Sequence, residues 1–202
     1  MPETVVVVPI RSFDDAKTRL AEVLDLADRR TLARAMAATV LRAALELPVV
    51  VVSDDAEVID WAFTSGARSL PVGVTGLDRS ITAAVDHLAA EGVDRVIGAH
   101  ADLPHAHDLG VVADPTRDPA AVAIAPDRHH DGSNVLSVPT GAGFRFAYGP
   151  GSFARHVAEA ERLGLPVTVV DDASLAWDVD SPDDLPFDWR SLLPHAGSGE
   201  HL

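Results

Sequence analysis

Cysteine is absent from the 202-residue sequence. Its absence excludes a disulfide framework, a thiol nucleophile and a zinc–thiolate centre. Lysine is almost absent: of 16 basic residues 15 are arginine, and Lys17 is the single lysine. Positive charge as a whole is scarce, with 16 basic against 31 acidic residues and a formal net charge of −15. Such a field repels nucleic acid and anionic membranes, so neither is an expected partner. No apolar run approaches the roughly 18 residues that a membrane-spanning helix needs. The opening Met-Pro-Glu-Thr-Val has neither the basic region nor the cleavage site of a secretory signal. A soluble, cytoplasmic protein is the expectation.

What is present is an ordinary globular balance, 47% hydrophobic and 23% charged. At roughly 150 residues per domain the length suits one domain, which needs no covalent staple to hold its core. Apolar runs and helical spacings alternate along the chain. Val5–Pro9 and Val49–Val52 read as buried strands, Ala67–Pro71 as a short strand and Arg95–Ala99 as another. Residues 28–47 place Leu32, Met36, Val40, Ala43 and Leu47 on one helical face. Helices are expected from Asp55, over Arg79–Ala90, and over Ser152–Leu163, where Gly164 ends the last. Ala121–Ala125, Asn134–Val138 and Val167–Val170 are further strands, and Leu175–Trp177 is a last short one. The expected architecture is a single-domain three-layer α/β sandwich around a mainly parallel mixed sheet. The short interval from Asp127 to Ser133 predicts a local antiparallel hairpin. The domain is expected over 1–193, with a frayed polar tail over 194–202.

In open α/β sheets ligands sit at the carboxyl ends of the strands, so each strand end is read for chemistry. After the first strand, Arg11, Ser12, Lys17 and Arg19 lie in one short loop. Three cations close together in a cation-poor chain suit a polyphosphate, or else pair with Asp14 and Asp15. Ser53-Asp54-Asp55 and Asp78 precede helices, where they either cap free amides or contact a base or ribose. Asp102 follows the fourth strand in His-Ala-Asp-Leu-Pro. Asp178 and Asp180 share a face if Trp177–Asp180 is extended. Two adjacent carboxylates with Asp102 suit Mg2+, which takes one or two carboxylates and completes its octahedron with water and phosphate. The alternative for Asp180 is the cap of a helix starting at Pro182. The turn Gly149-Pro150-Gly151-Ser152 opens a helix whose free amides suit an anion, or is simply a tight turn.

In order along the chain stand Val-Pro-Ile-Arg-Ser, Ala-Lys-Thr-Arg-Leu, Ser-Asp-Asp, Gly-Leu-Asp, Ala-Asp-Leu-Pro, Ala-Pro-Asp-Arg, Asp-Gly-Ser-Asn-Val-Leu, Gly-Pro-Gly-Ser-Phe-Ala-Arg-His and Asp-Val-Asp-Ser-Pro-Asp-Asp-Leu. Across residues 4–186 this ordered set resembles the 2-phospho-L-lactate guanylyltransferase family, which includes the phosphoenolpyruvate guanylyltransferases of coenzyme F-420 biosynthesis. The resemblance implies a nucleotidyltransferase-like fold, of the nucleotide-diphospho-sugar transferase type. It also implies GMP transfer from GTP to the phosphate of phosphoenolpyruvate or 2-phospho-L-lactate, with Mg2+ as cofactor. By the same resemblance Arg11, Ser12, Lys17, Arg19, Ser53, Asp54 and Asp78 bind the nucleotide. Lys17, Arg19 and Asp102 are catalytic. Ser133, Asn134, Gly149 and Ser152 bind the phospho-acid, with Arg128 and Arg155 assisting, and Asp102, Asp178 and Asp180 hold the metal. His100 stands where the family pattern has Pro, Asp78 where it has Asn, and Ser133 where Thr is frequent. A homodimer is an open expectation. The alternatives are a related nucleotidyltransferase with another nucleotide or phosphorylated acceptor, and a non-catalytic phospho-ligand-binding protein of the same fold.

Overall fold

The structure is a computed structural model, which describes residues 3–113, 120–186 and 188–192. Seven strands form one sheet: β1 Thr4–Pro9, β2 Val49–Val52, β3 Arg68–Leu70, β4 Arg95–Ala99, β5 Val122–Pro126, β6 Ser133–Pro139 and β7 Val167–Val169. Their order is β3-β2-β1-β4-β6-β5-β7. Every neighbouring pair is parallel except those of β6, which runs antiparallel to both β4 and β5. β6 therefore starts at the edge where the other strands end. That reversal brings Ser133 and Asn134 to the carboxyl ends of β1 and β4.

β1 shows why the sheet has two covered faces. Val5 to Val8 are all buried, and β-branched side chains pack well on a pleated surface. Val6 and Val8 point to a core shared with Ala33, Ala37 and Val40 of α1 (Leu26–Ala43) and with Val58 and Ala62 of α2 (Ala56–Thr64). Val5 and Val7 point to the opposite core, shared with Ile81, Val85 and Leu88 of α3 (Leu77–Ala90) and Ala160 of α4 (Ser152–Arg162). The result is the three-layer α/β sandwich, with the hairpin between β5 and β6 as expected. No helix among the described residues is long and apolar enough to cross a membrane.

Several elements differ from the sequence reading; α3, for one, starts at Leu77 rather than Arg79. α1 starts two residues early because the Asp25 side chain accepts from Asp28 N, and it stops at Ala43 because Leu45 turns left-handed at φ 54°. Leu175–Trp177 is not a strand. The Asp172 carbonyl accepts from Leu175 N and Ala176 N, which winds this stretch into a turn. The helix expected at Pro182 is a single 3-10 turn, Pro182–Asp184, capped by Ser181 rather than Asp180. The tail expected over 194–202 lies outside the described residues.

Candidate active site

The loop after β1 is held from behind. Phe13 is buried edge-on against Trp61, with ring centroids 5.2 Å apart, and the Arg34 guanidinium lies 4.9 Å above it. Arg30 pairs with Asp14 and Glu57, and Arg34 also pairs with Glu57. Asp14 is thus engaged by α1, while Asp15 pairs with Arg11 at 3.4 Å. The chain then reverses at Lys17, whose backbone is left-handed at φ 55° and ψ 38°. A non-glycine residue there costs on the order of 1–2 kcal/mol. Leu20 N donates to Lys17 O at 2.9 Å, and the side chain is tied down as well. Lys17 Nζ lies 2.5 Å from Asp102 Oδ2 and 3.2 Å from Asp180 Oδ1, with the side chain only 10% exposed.

A small apolar cluster brings these groups together from distant parts of the chain. Leu20, three residues after Lys17, packs with Leu24, Leu32, Met36 and Trp189, and the same cluster buries Val179. With Val179 inward, its neighbours Asp178 and Asp180 both line the cavity. Val179 N donates to Asp102 O at 3.3 Å, tying this segment to the end of β4.

The Asp178–Ser181 segment has its own brace. Asp184 is buried, and its Oδ2 accepts from Asp180 N at 2.9 Å, Ser181 N at 2.6 Å and Ser181 Oγ at 2.9 Å. Its other oxygen pairs with Arg128, which stacks 4.3 Å over Trp177. Burial alone would raise the Asp184 pKa, but Arg128 and the Ser181 and Asp180 donors outweigh it and hold it at about 2. Arg128 therefore braces a loop and does not face the acceptor end as the sequence reading supposed.

The opposite wall is the β5–β6 hairpin and the start of α4. The Asp127 carboxylate accepts from the amides of His129, Asp131 and Gly132 and shapes the hairpin turn. Asp131 Oδ2 accepts from Gly151 N at 3.0 Å and Asp131 O accepts from Phe153 N at 3.0 Å. Two amides at the start of α4 are thus already engaged by the protein, and Ser152 N is taken by Gly149 O. Arg155 donates to the carbonyls of Ala147, Tyr148, Gly149 and Pro150, so it too is a brace. Ser152 Oγ accepts from Ser133 N at 3.1 Å. Asn134 Nδ2 donates to Leu175 O at 2.9 Å and stands 3.5 Å from Asp178 Oδ1.

Behind this wall His156 is fully buried. Its Nε2 accepts from Ala147 N at 3.0 Å, which leaves the proton on Nδ1, 2.9 Å from Ser133 Oγ. Burial and then Arg155 push its pKa down to about 4. The unfolded chain therefore takes this proton first. The stabilising contribution is complete above pH 6.5 and is lost as the pH falls toward 4. Urea unfolding at pH 7 and pH 5 should show a loss of about 2 kcal/mol from this group. The same comparison in His156→Gln should lack that part of the loss, and an equal loss in both proteins would refute the assignment.

These parts enclose a cavity of about 550 Å3 at the carboxyl edge of the sheet. Arg11, Ser12, Lys17 and Arg19 line it on one side, and Asn134, Gly149 and Ser152 on the other. Asp102, Asp178 and Asp180 lie in the same lining. Ser53, Asp54, Asp78 and Ser133 do not line it. Ser53 Oγ accepts from Asp55 N, Asp54 Oδ1 from Gly73 N, and Asp78 Oδ1 from Tyr148 N, while Ser133 faces His156. Asp55 caps α2, whereas α3 is capped by Gly76 rather than Asp78. Asp127, Asp131 and Phe13 line the cavity and were not singled out as site residues.

The lining is acidic. Six aspartates (15, 102, 127, 131, 178 and 180) face three cations, Arg11, Lys17 and Arg19. Asp178 feels this directly: burial, then the charges of Asp102 and Asp180, push its pKa up. Asp102 is held low despite burial, because Lys17 and His100 outweigh desolvation. Lys17 is likewise held above the ordinary lysine range by Asp102 and Asp180 despite its burial. Among the described residues no three His, Cys, Asp or Glu side chains already converge as a metal cage. Between Asp102 and Asp180 stands the Lys17 ammonium. Asp102 Oδ1 is buried with no hydrogen-bond partner. Hard carboxylate oxygens, one of them unsatisfied, in a lining with excess negative charge fit a Mg2+ ion that completes its shell with water and phosphate.

A mixed sheet of this order, with the cavity at its carboxyl edge, is a nucleotidyltransferase-like fold. A chain from Desulfovibrio desulfuricans G20 named as a nucleotide-diphospho-sugar transferase superposes with a TM-score of 0.71 at 19% identity, covering 90% of this chain and 84% of that one. A 4-diphosphocytidyl-2C-methyl-D-erythritol synthase from Anaerococcus prevotii superposes with a TM-score of 0.61 at 12% identity, covering 91% and 92%. The chain belongs to the family of guanylyl transferases described as CofC like, whose model matches residues 4–193. It is 37% identical over 204 residues to a phosphoenolpyruvate guanylyltransferase of Sphaerobacter thermophilus, covering 97% of this chain and 95% of that one. It is 32% identical over 204 residues to a 2-phospho-L-lactate guanylyltransferase of Methanothermobacter thermautotrophicus, covering 98% and 87%.

Proposed function

We propose that this enzyme transfers GMP from GTP to the phosphate of a three-carbon phospho-acid, phosphoenolpyruvate or 2-phospho-L-lactate, and releases pyrophosphate, as a step of coenzyme F-420 biosynthesis. The observation that carries the reading is the Lys17–Asp102–Asp180 constellation in the strand-end cavity of a chain with this family membership.

The acceptor phosphate oxygen attacks the α-phosphorus of GTP and pyrophosphate leaves. A phosphate dianion is already a nucleophile near neutral pH, so the protein's work is positioning and charge neutralisation. Lys17 is held protonated by its two carboxylates and has no lone pair to offer phosphorus. Its role is as a cation to the triphosphate, with Arg11 and Arg19 on the rim. Arg19 is 76% exposed and pairs with Asp180 at 3.9 Å, and Arg11 is 88% exposed and pairs with Asp15; such loose surface pairs give way to a ligand. Asn134, Gly149 and Ser152 receive the acid, with Ser133 behind them. Ser53, Asp54 and Asp78 act on the nucleotide only through the loops they brace. Asp102, Asp178 and Asp180 would hold Mg2+, which when bound neutralises phosphate charge and polarises the α-phosphorus. Two anions entering an acidic cavity need that added positive charge.

The test is pyrophosphate release across GTP, ATP and CTP with each acid. The reading expects release with GTP and one or both acids, and none after chelation of divalent cations. Release with another nucleotide only would move the activity to a different nucleotidyltransferase, and no release with any pair would leave a binding protein of the same fold.

A further inference from the structure

Lys17 and a divalent cation claim the same two carboxylates. The ammonium lies 2.5 Å from Asp102 Oδ2 and 3.2 Å from Asp180 Oδ1. A Mg2+ ion on either carboxylate oxygen would sit about 2.1 Å from it, and so within roughly 5 Å of the ammonium. Two like charges at that separation in a cavity with buried walls repel strongly. We propose that Lys17 is a displaceable counter-cation: it neutralises Asp102 and Asp180 when the metal is away, and metal entry ejects it toward the triphosphate. The proposal rests on the reading that these aspartates take a divalent cation.

Three features favour exchange over a fixed ion pair. Asp102 gives one oxygen to Lys17 while its other oxygen is buried without a hydrogen bond, with only the His100 ring 4.0 Å away. Lys17 is also the residue at which the loop turns left-handed, at φ 55°, a conformation that lysine holds only under constraint. One constraint on view is the pair of carboxylate contacts. Finally, the turn just after it is pinned by buried Leu20, so the side chain can swing on its four-carbon stem while the loop stays in place. Exposed Arg11 and Arg19 mark the rim toward which it would swing.

The consequence is coupling. Metal alone must expel a satisfied ammonium, and so binds weakly. A triphosphate that takes up Lys17 removes that competition. By reciprocity the metal strengthens nucleotide binding by the same factor.

The single lysine makes the exchange directly visible. The whole protein would be acylated with an amine-reactive ester, with and without Mg2+ and with no nucleotide. Peptide mapping would compare Lys17 with the chain's α-amino group. Mg2+ should speed labelling of Lys17 at least about fivefold relative to that internal standard, the lower end of ordinary coupling between sites. In parallel, Mn2+ affinity would be read by electron paramagnetic resonance without nucleotide. Lys17→Gln should bind Mn2+ about tenfold more tightly than the wild type. Metal binding that leaves Lys17 labelling unchanged overturns the exchange while sparing the metal reading, as does weaker Mn2+ binding in the variant. No Mn2+ binding by either protein overturns both together. If Lys17→Gln folds only when Mg2+ is present, the metal is replacing the lysine's charge, as proposed. If it folds in neither condition, the wild-type labelling experiment decides.

Discussion

Asp102→Asn is expected to lower kcat by about 10²–10³, the usual cost of removing one preorganised charge at a phosphoryl-type transition state. The structure also changes what the variant should do to stability. Asp102 is the nearest counter-charge of Lys17, at 2.5 Å, and both side chains are largely buried. Removing one partner of such a pair leaves a buried charge uncompensated, which costs several kcal/mol when nothing else answers it. Asp180 does answer it, at 3.2 Å and half-exposed. The amide oxygen of asparagine also keeps an acceptor in place. The expected stability loss is therefore about 1–2 kcal/mol, or roughly 2–8 °C in Tm for a chain of this size. Steady-state kinetics and a thermal melt on the same preparation check both halves. A variant that kept wild-type turnover would remove Asp102 from the chemistry.

Asp184→Ala is the second large effect, and it acts at a distance. Asp184 does not itself line the cavity, but it accepts from Asp180 N, Ser181 N and Ser181 Oγ and pairs with Arg128. Its removal leaves buried donors unmet and frees the segment that aims Asp178 and Asp180. Hydrogen bonds to a charged acceptor are worth about 1.5–3 kcal/mol each, and their losses overlap. A total of roughly 2–4 kcal/mol is expected, with kcat down at least about tenfold because an Asp180 misplaced by 1 Å mispositions charge. Asp184→Asn keeps acceptor geometry and should recover most of the stability. If Asp184→Ala were destabilised but fully active after correction for the folded fraction, the segment would not need this brace.

Much of this was legible in short-range pattern. Four consecutive valines in β1 announce a strand covered on both faces, and both faces are covered. The strand-end rule sent attention to the loops where Lys17, Asp102, Asp178 and Asp180 lie, and the fold does bring them to one cavity. What stayed hidden depends on long-range contact. Lys17 and Asp102 are 85 residues apart, and Lys17 and Asp180 are 163 apart, so no local spacing shows that a lysine would lie between two aspartates. The braces were hidden for the same reason: Arg128 and Asp184 are 56 residues apart, and Asp131 and Gly151 are 20 apart. An arginine near a site reads as a ligand group until its partner is known. One brace had a local signal. Ser181 and Asp184 form a capping box, recognisable in Ser-Pro-Asp-Asp, which would have assigned the cap to Ser181 and left Asp180 to the cavity.

In the proposed reaction the acceptor attacks GTP directly and no protein side chain is a nucleophile. Turnover of one diastereomer of GTP bearing sulfur at the α-phosphorus tests this most directly, because each in-line displacement inverts that centre once. Inversion in the product is expected, with no GMP found on the protein by mass spectrometry. Retention of configuration, or a guanylylated Lys17 or histidine, would contradict it.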